Sequence, residues 1–385
     1  MPQHRFASIH VVGTNGKSSV AVMTAALLDA HGVAAGASIS PHLRRWTERV
    51  RVRGEEIGGD ELGAAVERVA AAATAVERGL EGGERLTQFE VATAASFVAL
   101  AGAGVGAGVI EAGLGGRLDA TNVIPSRVTV LTSVGIDHTR WLGDTEAEIA
   151  AEKLAVLRDQ SCLVIGSVSP AVEALAEQAA GERGARLTRA GEDPGPDVEL
   201  RALGGFQRRN FAVAMAAAEA FLGELDRSLV RRVAAEVEVP GRLELLPGEP
   251  PTAIDAAHNP DGAAALAAAI SALAGGRPVV ACLGILADKD AAGMIAALAP
   301  AVAEFICTEP PPAALAASGR PDARPWPAGD LAELCAAAGA PAVAVSDLPE
   351  ALARSRSRAA TVGGIALVAG SHYLLAVARA SLEAE

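Results

Sequence analysis

The tightest constraint in this sequence lies near its beginning. A short apolar run, residues 8–12, ends in the turn Gly13-Thr14-Asn15-Gly16-Lys17-Ser18-Ser19, and residues 17–31 then read as a helix with Gly32 at its stop. The order strand, glycine-rich turn, Gly-Lys-Ser, helix is what phosphate binding needs. Glycines let backbone N–H groups close around an anion, the helix N-terminus adds a favourable dipole, and Lys17 supplies a point charge. A strict phosphate loop carries Gly where this chain has Val11, so the turn is of the Gly-Thr-Asn-Gly-Lys variety. Ser18 is placed to reach Mg²⁺. Glu111, after the apolar Gly108-Val109-Ile110, sits where a carboxylate ligand at the end of a parallel strand is expected.

The rest of the chain continues the alternation. Residues 33–39, 109–110, 128–134 and 162–165 read as strands; residues 60–79, 89–100 and 146–157 read as helices. After a linker at Pro240-Gly241 the pattern restarts, with strands expected at 253–256, 279–283, 305–308, 342–346 and 365–369 and Ala-rich helices between several of them. Residues 190–197 and the Pro/Gly-rich stretch 309–329 read as loops. The chain has 385 residues, too many for one ordinary domain. The expected fold is α/β: a phosphate-loop-type parallel-sheet ATPase domain over residues 1–238, followed by a smaller Rossmann-like α/β domain over residues 239–385. A cleft between two such domains is a natural ligand site.

Composition narrows the partners. The formal net charge is −13, so the chain is no general nucleic-acid binder, because phosphate backbones need basic surface. The cysteines Cys162, Cys282, Cys307 and Cys335 are far apart, without CxxC or zinc spacing, and are expected to be buried free thiols. No run has the length and uniformity of a membrane helix, and the amino end lacks a signal core, so no membrane partner and a cytoplasmic location are expected.

The run His10-Val-Val-Gly-Thr-Asn-Gly-Lys-Ser-Ser19 resembles the start of the folylpolyglutamate synthase/dihydrofolate synthase family of the Mur ligase superfamily. Four further stretches match in order: Ser40-Pro41-His42-Leu43 with Glu48-Arg49; Glu111-Ala-Gly-Leu-Gly-Gly-Arg-Leu-Asp-Ala-Thr-Asn122; Asp137-His138-Thr139 with Leu142-Gly143 and Glu152-Lys153; and Asp255-Ala-Ala-His-Asn-Pro260. The resemblance implies a ligase. A folate or dihydropteroate carboxylate attacks the γ-phosphate of ATP, and the amine of L-glutamate displaces phosphate from the acyl phosphate. It also implies roles. Ser40, Glu111 and His138 hold a second Mg²⁺ near the γ-phosphate, and Lys153 matches a lysine that is often carbamylated in the superfamily. Gln207 and Asn210 contact the nucleotide from the first domain. Arg242 reaches its phosphates, and Asp255 and His258 its ribose and phosphates. ATP is then bound between the domains, and the protein is expected to act as a monomer.

Three departures stand out. Ser18 occupies a position where the family usually has Gly, so either Ser18 or Ser19 could face the metal. Nine residues precede His10 where the family usually carries a few tens, including a helix near the pterin site, so the resemblance speaks for ATP and metal chemistry more firmly than for pterin recognition. Thr308 is not followed by Arg at the family's spacing, so glutamate binding is expected to differ in detail. Two alternatives stay open: a Mur-type ligase acting on a non-folate acid, and a nucleotide-binding homologue that does not catalyse.

Overall fold

The apolar run ahead of the glycine turn is a strand, β1 (Ala7–Val12), buried almost along its whole length. Burial on both faces is why it reads as a continuous apolar run rather than an alternating one. In this computed structural model, residues 1–80, 84–317 and 323–383 are described. Two compact units emerge, one of Met1–Arg201 with Gln207–Val237, the other of Ala202–Phe206 with the chain from Glu238 onward.

After β1, the first unit runs through α1 (Lys17–Ala30), β2 (Ala35–Ser38), β3 (Val50–Val52), β4 (Glu55–Glu56), α2 (Gly59–Glu77), α3 (Gln88–Gly102), β5 (Ala107–Glu111) and β6 (Ser126–Leu131). There follow α4 (Thr139–Leu142), α5 (Glu146–Leu154), β7 (Cys162–Ile165), α6 (Pro170–Arg183), β8 (Arg186–Arg189), α7 (Gly205–Leu222), which belongs to this unit from Gln207 onward, and α8 (Arg227–Glu236). The strands form one sheet in the order β4-β3-β2-β5-β1-β6-β7-β8. From β2 to β8 every neighbour pair is parallel, while β3 and β4 add an antiparallel edge. That edge hairpin was not read from the sequence. Its turn, Arg53-Gly54, has φ 52° and 81°, the two left-handed residues that a two-residue hairpin turn requires. The chain leaves β1 toward β2 on one side and reaches β6 on the other, so the reversal of strand order falls at β1, where a ligand crevice is expected at the carboxyl strand ends.

The second unit holds β9 (Glu244–Leu246), β10 (Thr252–Ile254), α9 (Pro260–Ala274), β11 (Val279–Leu283), α10 (Ala291–Leu298), β12 (Glu304–Cys307), α11 (Pro312–Ala317) and α12 (Ala328–Ala337). It ends with β13 (Ala342–Ala344), α13 (Leu348–Thr361), β14 (Ile365–Ala369) and α14 (His372–Glu383). Its sheet order is β13-β12-β11-β14-β10-β9, parallel except for β9. The stretch 309–329, expected to be a loop, contains α11 and the start of α12; its residues 318–322 lie outside the described residues. Proline there begins a helix, at Pro312, rather than breaking one.

Each sheet is covered by helices. In the first unit Val12, Leu131 and Ile165 pack with Leu154 and Val172, and Phe97 and Leu100 pack with Ile110. In the second, Phe305, Leu367 and Ile295 form the core with small alanines of α9 such as Ala263. Removing a side chain such as Leu131 or Phe305 from water contributes roughly 1.5–3 kcal/mol each. All four cysteines are buried free thiols, as expected. Among the described residues no helix is long and apolar enough to cross a membrane.

Candidate functional site

The turn after β1 is held open by the turn after β6. Thr14 N donates to Ser133 O at 2.9 Å and Asn15 N to Ser133 Oγ at 3.0 Å, while Thr132 Oγ1 donates to Asn15 O at 2.6 Å. Thr14 Oγ1 donates to Gly135 O at 3.2 Å and accepts from Gly135 N at 3.1 Å. Two glycines permit this. At Gly13, φ is 151° and a Cβ would stand 1.9 Å from Thr132 Oγ1. At Gly16, φ is 83° and a Cβ would meet Asn210 Oδ1 at 2.5 Å. Asn210 therefore lies against the phosphate loop, and its Nδ2 donates to Oε1 of the buried Gln207 at 2.9 Å. Both side chains belong to α7. The roles of Thr132 and Ser133 were missed because they were counted into the strand before them; a Thr-Ser pair directly after a buried parallel strand was the available signal.

Two lysines converge on the same loop. Lys17 Nζ donates to Gly13 O at 3.0 Å and to Thr14 O at 3.1 Å. Lys153, buried on α5, donates to Gly13 O at 2.9 Å. A Thr145–Glu148 capping box starts α5 two turns ahead of Lys153 and fixes the approach. Burial pushes the Lys153 amine down to about 7, the Lys17 charge adds to the shift, and Asp137 and Asp119 oppose it. An amine of this kind is substantially neutral, and nucleophilic, near neutral pH.

Glu111 ends β5 as a buried carboxylate that ties three elements together. Ser18 Oγ donates to its Oε1 at 3.0 Å from α1, and Ser40 N donates to its Oε2 at 2.9 Å from the chain beyond β2. Ser19 is also buried at the helix start. His138 follows β6 in the left-handed conformation, φ 54°, capping α4; its backbone N donates to Asp137 Oδ1 at 2.8 Å and its ring Nε2 lies 3.9 Å from the same oxygen. A carboxylate and hydroxyls beside a helix N-terminus are the hard oxygen donors that Mg²⁺ takes. Among the described residues no three His, Cys, Asp or Glu side chains form a cage. That suits an ion whose remaining ligands are waters and substrate phosphates.

In the second unit Asp255, just past β10, is buried and accepts from Leu243 N and Ala257 N, both at 2.7 Å. Burial pushes its carboxyl above the usual range, against the pull of the Arg242 charge and of the two amides. The turn carrying Arg242 is closed by Gly241 N donating to Glu244 Oε2 at 2.9 Å. His258 Nδ1 lies 2.9 Å from Ala256 O, and Asn259 caps α9 through Gly262 N at 2.8 Å. Asp255, His258 and Arg242 thus share one side of the β10 end, next to a helix N-terminus.

Known proteins resemble this chain in sequence and fold. Residues 241–372 match the family model described as Mur ligase, glutamate ligase domain. The chain is 36% identical over 345 residues to the dihydrofolate synthase/folylpolyglutamate synthase of Mycobacterium tuberculosis, covering 80% of this chain and 71% of that protein. The structure of the Mycobacterium tuberculosis folylpolyglutamate synthase complexed with ADP superposes with a TM-score of 0.90 at 32% identity, over 99% of this chain and 91% of that one. A bifunctional folylpolyglutamate synthase/dihydrofolate synthase from Yersinia pestis, with Mn, AMPPNP and L-glutamate bound, gives 0.80 at 30% identity, over 98% and 89%.

Proposed function

This chain belongs to the dihydrofolate synthase/folylpolyglutamate synthase family, and on that premise we propose that it joins L-glutamate to the terminal carboxylate of a folate or of dihydropteroate. It is an ATP-dependent ligase. A carboxylate oxygen attacks the γ-phosphorus, the bond to the β–γ bridging oxygen breaks and ADP leaves. The glutamate amine then attacks the acyl carbon, the carbon–oxygen bond to phosphate breaks, and the amine proton is lost as the amide forms. Such a sequence is mainly positioning and charge neutralisation.

The observation that carries the site assignment is the Glu111 carboxylate bonded to both Ser18 Oγ and Ser40 N beside the phosphate loop. The loop amides of Gly13, Thr14, Asn15 and Gly16, with Lys17, Ser18 and Ser19, hold the ATP phosphates. Ser18, rather than Ser19, together with Ser40, Glu111 and His138, holds Mg²⁺. The ion supplies charge neutralisation between two anions that must approach each other. Gln207 and Asn210 contact the nucleotide, as do Arg242, Asp255 and His258. Lys153 carries a carbamate: its neutral amine adds to CO₂, a nitrogen–carbon bond forms and one proton is released. The depressed basicity of Lys153 supports that reading. The protein works as a cytoplasmic monomer with domains at residues 1–238 and 239–385.

Phosphate release from ATP is the direct test. It is expected only when L-glutamate and either pteroate or folate, in reduced form, are both present. Release with a non-folate carboxylate, and none with either pterin acid, would overturn the substrate assignment.

A further inference from the structure

His10 is a polar ring in the middle of the central strand of the larger sheet, fully buried between the apolar Ile9 and Val11. A buried polar group costs stability unless it is hydrogen-bonded. Nε2 of His10 lies 2.7 Å from Thr121 Oγ1, while Nδ1 has no hydrogen-bond partner among the described residues. Thr121 in turn turns toward Asp119: its hydroxyl bonds Asp119 Oδ1, and its backbone N donates to the same oxygen at 3.0 Å. The other carboxylate oxygen accepts from Leu114 N at 2.8 Å.

The directions of these bonds follow from chemistry. An ionised carboxylate only accepts, so the Thr121 hydroxyl gives its hydrogen to Asp119 and must accept from His10. His10 is therefore the tautomer with hydrogen on Nε2 and a bare Nδ1. Burial, helped by the Arg158 charge, pushes the ring down to about 3, so this neutral donor persists across any working pH. Arg158 grips the same segment further on, donating to Ile124 O at 3.1 Å and to Asn122 Oδ1 at 2.8 Å.

The segment so held leads directly away from Glu111. It presses on α5 so closely that a Cβ at Gly116 would stand 2.6 Å from Glu152 O and 2.9 Å from Lys153 O. A Leu or Phe would fill the space at position 10 without this chain of bonds. We propose that His10 is a positioning residue for the ligase reaction: through Thr121 it fixes Asp119, and with it residues 113–119, against Glu111 and Lys153. The proposal rests on the ligase reading above.

Four single variants and one double variant of the full chain test it. Thr121→Val and His10→Leu remove the relay, whereas Thr121→Ser and His10→Gln retain a hydroxyl and an Nε–H donor. The first two are expected to lower kcat about 10²-fold, the cost of a small misplacement of reacting groups, with the dissociation constant for ATP alone unchanged. The double variant should be no slower than either single one, because both cut the same chain. Thr121→Ser and His10→Gln should recover most of the rate. In ¹⁵N-histidine spectra of the wild type, His10 should show a protonated Nε2 and a bare Nδ1 at every pH, and the Nε2–H signal should move in Thr121→Val. Wild-type kcat in Thr121→Val, additive losses in the double variant, or a Thr121→Ser as slow as Thr121→Val would overturn the proposal. Thr121→Val is nearly isosteric, so it decides even where His10→Leu does not fold. A wild type with no ligase turnover would instead sink the ligase reading itself.

Discussion

Lys17 and Lys153 donate to one and the same oxygen, the Gly13 carbonyl, at 3.0 and 2.9 Å. Two cations on one acceptor, one of them buried, repel each other, and burial leaves the Lys153 amine at about 7. The folded value lies below the unfolded one, roughly 10.4. The unfolded chain therefore binds more protons here, and the destabilisation is full below the folded value and fades as pH rises toward the unfolded one. In urea titrations in CO₂-free buffer, where Lys153 is the free amine, Lys153→Met is expected to exceed the wild type most at pH 6 to 7, with the gap closing by about pH 10. A gap independent of pH would contradict the shifted amine. In ¹³C-bicarbonate at mildly alkaline pH, a carbamate resonance should appear in the wild type and be missing from Lys153→Arg.

Glu111 holds Ser18 and Ser40 at once, so Glu111→Gln separates charge from shape. The amide oxygen can still accept one of the two bonds, but the group can no longer neutralise a cation. The expected outcome is a soluble, folded protein whose kcat falls about 10²–10³-fold, as when one preorganised electrostatic group is lost. Half-saturation for Mg²⁺ or Mn²⁺ should rise in parallel. Unchanged metal dependence would remove Glu111 from the metal site.

Gly16 is left-handed and faces Asn210, so two separate penalties meet in Gly16→Ala. The left-handed backbone costs roughly 1–2 kcal/mol for a residue with Cβ. The clash with Asn210 Oδ1 adds to it. Thermal melts of Gly16→Ala, Asn210→Ala and the double variant should show partial recovery in the double, because only the clash is relieved. ATP affinity should fall in all three, and strict additivity of the melting shifts would argue that the two side chains do not meet.

Strands buried on both faces were legible in the sequence. The run 162–165 stands out as apolar between polar flanks, and it is β7 at the same bounds. Val50-Arg51-Val52 was not legible, because three residues beside a two-residue edge strand are too few to show a period, and the middle one carries charge. At the candidate site Lys17, Ser18, Ser40, Glu111 and Lys153 stand out as motif residues in the sequence, and the fold brings them together around the turn after β1. The contacts that hold them were not. Thr132 and Ser133 act through strand adjacency, Asn210 through the packing of α7, and His10 through a hydrogen bond to a residue 111 positions away. Of these, only the Thr132-Ser133 pair, directly after a buried strand, leaves a local pattern.

Asp255 gives the sharpest prediction for the second unit. Its two oxygens accept from Leu243 N and Ala257 N, each at 2.7 Å, in a buried position. In Asp255→Asn one oxygen becomes an NH₂ group facing an N–H donor, so one amide is left without an acceptor. Such an orphaned buried donor costs about 1–3 kcal/mol. The loss should appear as a lower urea midpoint at neutral pH. Since Leu243 follows Arg242 directly, a shift of that turn also displaces Arg242. KM for ATP should therefore rise in Asp255→Asn more than the stability loss explains. An Asp255→Asn protein with wild-type stability and wild-type KM would show that neither amide depends on this carboxylate.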